Sequence, residues 1–88
     1  MAEIEFPPQE RGDARRHAIV FPARIEEGQV ECAISYHALW LYFGADYDNP
    51  RPTFIAHRKR IEQLAAQCIS HARFESDGTV MIRLQDIT

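Results

Sequence analysis

The 88 residues are 45% hydrophobic and 26% charged, the composition of an ordinary globular chain with room for one modest core. A net charge of −3 argues against functions that need a positive field, such as nonspecific nucleic-acid or anionic-membrane binding. No apolar run approaches the ~20 residues of a membrane helix, and Met1–Pro8 has neither the basic nor the apolar segment of a signal peptide. The expectation is a cytoplasmic chain forming a single domain over residues 1–88: a short N-terminal strand and surface loop over 1–17, then a core over 18–88.

In chain order, Ile4 and Phe6 alternate around Glu5 and predict a short strand stopped by Pro7-Pro8. Residues 9–17 are polar and read as a surface loop. Ala18 to Ile25 has a period of two, with Ile19, Phe21, Ala23 and Ile25 on one face. Pro22 falls on the opposite face and removes an N–H from the strand, which predicts an edge or a bulge there. Glu26-Glu27-Gly28 makes a turn in which Gly28 tolerates positive φ. Val30, Cys32 and Ile34 form the inward face of the return strand.

Ser35 is a suitable N-cap for a short aromatic helix, and Gly44 suits its left-handed end. Tyr36, Leu39, Trp40 and Phe43 recur at helical spacing and predict one apolar face. Residues 45–52 read as a loop carrying Asp46, Asp48, Asn49 and two prolines. A longer helix starts near Pro52 or Thr53, with Phe54, His57, Ile61, Leu64, Ala65, Cys68 and Ala72 along its stripe. Ser76-Asp77-Gly78 is a turn, and residues 79–85 alternate as a last strand. The β-β-β-α-α-β order indicates an α+β fold, a small mainly antiparallel sheet with two helices packed on one face. The other face carries Arg24, Glu31, Arg83 and Gln85 and reads as wet, with Ala18, Val20, Ala33 and Met81 able to dilute that polarity enough for a partner to dock there.

The run Val20-Phe21-Pro22-Ala23, Gly28, Cys32-Ala33-Ile34-Ser35, Ala38-Leu39 and Phe43-Gly44 is followed by Phe54, His57-Arg58, Ile61-Glu62 and Asp77-Gly78-Thr79-Val80. In this order and spacing, from about Ile4 to Ile82, the chain resembles the small bacterial family known as domain of unknown function 1488. The resemblance implies a compact bacterial α+β protein. It brings no reaction, substrate or cofactor, and it draws the eye to Cys32, His57 and Arg58.

Several constellations invite chemistry. Cys32 and His37 could form a thiolate–imidazole pair, but Cys32 faces inward by register, where cysteine acts as a small hydrophobe. Cys68 and His71 are three apart on a helix and could share a metal, with Cys32 and His17 as loose further ligands. Neither a metal nor a cofactor is expected. His57-Arg58-Lys59-Arg60 is the densest cationic run, yet successive helical residues point ~100° apart, so the four make no single patch. His57 reads as half-buried. Arg58 is expected to pair with Glu62 or to fix the loop through Asp46 or Asp48.

Of the aromatic cluster, Trp40, Tyr42 and Tyr47 cannot all face inward with Phe43, and outward rings are enriched at interfaces. Trp40, Tyr42, Tyr47, Arg51 and Arg58 therefore form the candidate interaction surface. The leading reading is a non-enzymatic accessory or regulatory module that works by protein–protein contact, self-association included. Its rivals are nucleic-acid binding through Arg51, Arg58, Lys59 and stacked rings, and a small-ligand site at a dimer interface using Cys32 or His57.

Overall fold

The computed structural model describes residues 4–46, 48–83 and 87. Its elements are β1 (Arg11–Asp13), β2 (Ala18–Ile25), β3 (Gly28–Ser35), α1 (Tyr36–Phe43), α2 (Arg51–Ala56), α3 (Arg58–Ser70) and β4 (Val80–Ile82). They build a four-stranded sheet in the order β1-β2-β3-β4. The β2–β3 hairpin is its spine, pairing from Ala18↔Ser35 to Ile25↔Gly28 around a Glu26-Glu27 turn. Gly28 there holds φ 142°, as the turn requires. β1 pairs antiparallel with β2, and β4 pairs parallel with β3. A parallel neighbour needs a crossover connection, and the three helices between β3 and β4 supply it.

The N-terminal segment departs from expectation. Residues 11–13 form an edge strand rather than loop, while Glu5 makes only an isolated bridge to Arg24. Between these pairings the N-terminal segment advances six residues (5 to 11) while β2 advances four (24 to 20). Two residues are extra, which is a bulge at Pro7-Pro8. Pro22 explains its position. Arg24 donates its N–H to the Glu5 carbonyl at 2.7 Å, so the nitrogen of Pro22, two residues earlier, faces the same neighbour and has no proton to give. β2 is thus neither an edge nor bulged itself; its neighbour bulges around the missing donor.

The helices pack on one face of the sheet. Ile19, Phe21, Ala23, Cys32, Ile34, Val80 and Ile82 meet Leu39, Phe54, Ile61, Leu64, Ala65 and Cys68 in one core. The opposite face is drier than its charges suggest. Ala18, Val20 and Ala33 form a second small buried cluster with Met81 against it. Ion pairs among their strand neighbours border it: Arg11–Glu31 at 2.6 Å, Arg16–Glu31 at 3.1 Å and Arg16–Asp13 at 3.6 Å. The same hub, Arg16, reaches Asp77 at 3.9 Å.

The expected long helix is two helices, broken at His57 (φ −110°, ψ 20°). No Pro or Gly marks the break. Tertiary contacts accompany it: the His57 ring lies against Phe43 with centroids 5.1 Å apart, and Arg58 turns back to Glu10. His57 itself is exposed rather than half-buried. At the far end, Ala72 does not continue the stripe but stops the helix in the left-handed region at φ 54°. Arg73 donates to the Cys68 carbonyl at 2.8 Å and Ala72 to that of Ile69 at 3.0 Å, the hydrogen-bond pair of a Schellman motif. Of the predicted last strand, Val80–Ile82 is observed, and Leu84 and Gln85 lie outside the described residues.

Candidate functional site

Helix α1 is held at both ends by short-range chemistry. The Ser35 hydroxyl accepts from the Ala38 N–H at 3.0 Å, satisfying one of the free donors of the first turn. Gly44 takes φ 72° and closes the helix. Between the caps, Ala38 and Leu39 are fully buried, which fixes the rotation of the helix. Trp40 and Leu41 are then 47% and 51% exposed. This corrects the expected stripe: Leu39 and Phe43 face the core, while Trp40 turns outward beside His37, ring centroids 5.5 Å apart. Every residue of α1 except His37 is apolar or aromatic, so periodicity could not select the buried side.

Tyr42 is 41% exposed. It lies ~200° around the helix from Trp40, so the two rings form no common platform. Tyr47 lies outside the described residues. The outward face of α1 therefore consists of His37, Trp40 and Leu41, with Gly44 at its end and the exposed Asp46 and Asp48 beyond it.

Arg51 and Arg58 are brought together by a residue that sequence reasoning missed. Glu10, whose side chain is only 10% exposed, bonds Arg58 through Oε1 and Arg51 through Oε2, the latter at 3.3 Å. Arg58 also lies over the Phe54 ring, 5.3 Å from its centroid. Its hydrogen bond to Glu10 holds that carboxyl below the usual carboxylate range. The expected tie between Arg58 and Asp46 or Asp48 is thus replaced by a tie to the N-terminal segment, with Glu62 a longer partner at 3.9 Å. Burial raises the Glu62 carboxyl, and the nearby Arg58 and Lys59 charges oppose that rise. Nothing in the polar stretch around Glu10 marked it out, because its role depends on the N-terminal segment running beside β2.

Cys32 is enclosed, and burial foremost, with Cys68 and Glu31 adding to it, pushes its thiol up to about 12. A nucleophile needs the thiolate, so the site works against this role near neutrality. His37 is exposed and packs on Trp40 rather than joining Cys32. His71 places Nδ1 2.8 Å from the Gln67 carbonyl oxygen. Among the described residues, no three His, Cys, Asp or Glu side chains come together as a metal site. Also among the described residues, no helix is long and apolar enough to cross a membrane.

Two concavities adjoin these groups. A groove of ≈ 310 Å³ lies over Val20 and Pro22, between Arg11, Glu31, Gln9 and Gln29. An open depression of ≈ 420 Å³ sits at the α2–α3 junction, lined by Ile55, Ala56 and residues 57–60.

Comparison with known proteins places this geometry. Residues 4–82 match DUF1488, a family of proteins of unknown function. The chain belongs to the DUF1488 family. Relatives within reach include the uncharacterized protein YrdB of Escherichia coli K12, 30% identical over 80 residues, covering 90% of this chain and 94% of YrdB. YrdB of Shigella flexneri matches to the same extent. A crystal structure of a DUF1488 protein from Shewanella loihica PV-4 superposes with a TM-score of 0.82 at 23% identity, covering 90% of each chain. That likeness confirms the DUF1488 fold, an α+β sheet-and-helix layer.

Proposed function

We propose that this DUF1488 chain is a non-enzymatic accessory or regulatory module that works by protein–protein contact, with the outward face of α1 as its docking surface. The observation that supports this reading is the pairing of Trp40 and Leu41, both about half exposed on a helix whose caps and buried face leave them no inward option. Exposed aromatic side chains, tryptophan above all, are frequent anchors of protein interfaces. An enzymatic role for Cys32 is disfavoured by its burial, and phosphate binding by Arg51 and Arg58 is disfavoured by their shared carboxylate, Glu10. A cytoplasmic setting belongs to the proposal, in keeping with Cys32 and Cys68 both lying outside any disulfide.

Affinity capture in the native cell tests the reading, with the wild type compared against the Trp40→Ser, Leu41→Ser double variant. The expected result is a partner recovered by the wild type and lost by a variant that melts normally. Identical recovery by both would remove α1 as the docking surface.

A further inference from the structure

Two exposed apolar features among the described residues differ in shape and in charge. The outward face of α1 is a convex ridge of Trp40 and Leu41, with Asp46 and Asp48 exposed just beyond its C-terminal end. The α2–α3 junction is an open depression of ≈ 420 Å³ lined by Ile55, Ala56, His57 and Arg58 together with the exposed cations Lys59 and Arg60. A ring with trailing carboxylates thus faces outward from one site, and an apolar hollow with cations from the other. The sites are also neighbours. The contact between Phe43, near the end of α1, and His57, at the break, brings the two elements together, with ring centroids 5.1 Å apart. This adjacency matters for symmetry, because a two-fold axis passing close to it can bring both complementary pairs together at once.

We propose that two copies of this chain associate reciprocally. Trp40 of each copy seats in the α2–α3 depression of the other, with Asp46 and Asp48 set against Lys59 and Arg60. This pairing rests on the reading of α1 as a docking face and names its occupant. An indole in a cation-walled hollow gains contact area and a cation–π attraction together. The carboxylates favour this orientation, since opposite charges meet in it. The anchors are few, so the interface falls below the ~1,200 Å² of stable complexes and the association is transient.

The test uses purified full-length protein, with light scattering and sedimentation across concentrations up to about 1 mM, the range in which such weak interfaces are populated. The expected result is a concentration-dependent shift from monomer to dimer that stops at the dimer and weakens as salt screens the charge pairs. Trp40→Ser is expected to weaken dimerisation at least tenfold, as loss of a central aromatic anchor does. Lys59→Glu and Asp48→Lys, both at exposed positions, should each abolish it while the protein stays folded, Lys59→Glu at a small cost in melting temperature because it sets a like charge near Glu62. An equimolar mixture of the two charge variants should recover dimers, since each then meets an opposite charge. A protein that stays monomeric, a mass that grows past the dimer, or charge variants that do not rescue each other would overturn the pairing. If the purified chain is monomeric while cellular capture still depends on Trp40, the docking role of α1 stands and the second copy is not its occupant.

Discussion

Ala72 terminates α3 in a conformation that favours glycine, and replacing it by glycine should stabilise the protein. The residue sits at φ 54° as the left-handed member of the motif in which Arg73 and Ala72 donate to Cys68 and Ile69. An L-residue with a Cβ is disfavoured there by ~1–2 kcal/mol. Glycine removes that strain but costs ~0.4–1 kcal/mol through the freer unfolded chain. Ala72 is exposed, so no packing is lost with its methyl group. The net expectation is a gain of ~0.5–1 kcal/mol, and at ~4–8 °C per kcal/mol for a domain of this size the midpoint should rise by ~2–8 °C. Gly44→Ala is the mirror experiment: φ is 72° and an added Cβ would meet nothing within 4 Å, so any loss there is purely conformational. Thermal and urea unfolding of the two variants should move in opposite directions. An Ala72→Gly protein no more stable than the wild type would refute the assigned helix end.

Three further outcomes follow from the packing. Glu10→Gln should lose ~1–2 kcal/mol at neutral pH, the worth of charge-assisted bonds to Arg58 and Arg51. Because the folded-state Glu10 value lies below the unfolded one, this contribution is complete above pH ~4.3 and disappears as pH falls through the folded value. Wild type and variant should therefore converge in acid; Glu62, whose raised value acts in the opposite sense, is common to both and cancels. A constant gap down to low pH would exclude the clamp. Cys32→Ser places a hydroxyl in a fully buried apolar site and should cost ~1–3 kcal/mol by denaturant titration, while in the wild type Cys32 should react with a thiol reagent only as the protein unfolds. Rapid labelling of the native Cys32 thiol would contradict its burial. Trp40→Ser removes a ring that is about half exposed and packs on His37, so the loss should stay near ~1 kcal/mol, well short of the ~3–5 kcal/mol of a truncated core aromatic; a loss in that core range would mean that Trp40 serves the fold.

The parts of this fold legible in the sequence are those specified locally. The alternation of β2 and β3 set the hairpin register, because a slip by one residue would turn Phe21, Cys32 and Ile34 to the wrong face. Ser35 and Gly44 bounded α1 through their own side-chain and backbone chemistry. What was not legible depends on distant partners. Arg11-Gly12-Asp13 has little strand propensity and becomes β1 because β2 offers it a ladder. The break at His57 is accompanied by a ring of α1 and an acid of the N-terminal segment, neither of which appears in the local pattern. Glu10 was overlooked for the same reason. The side of α1 that faces water was hidden by a helix apolar almost all round, where periodicity carries no contrast.

The most direct test of the docking role is photocrosslinking in the native cell from a reactive residue at position 41, with the same residue at the exposed position 14 of the β1–β2 turn as control. Discrete adducts from position 41 and none from position 14 are the predicted result. Equal labelling from both positions, or none from position 41, would contradict a binding surface on α1.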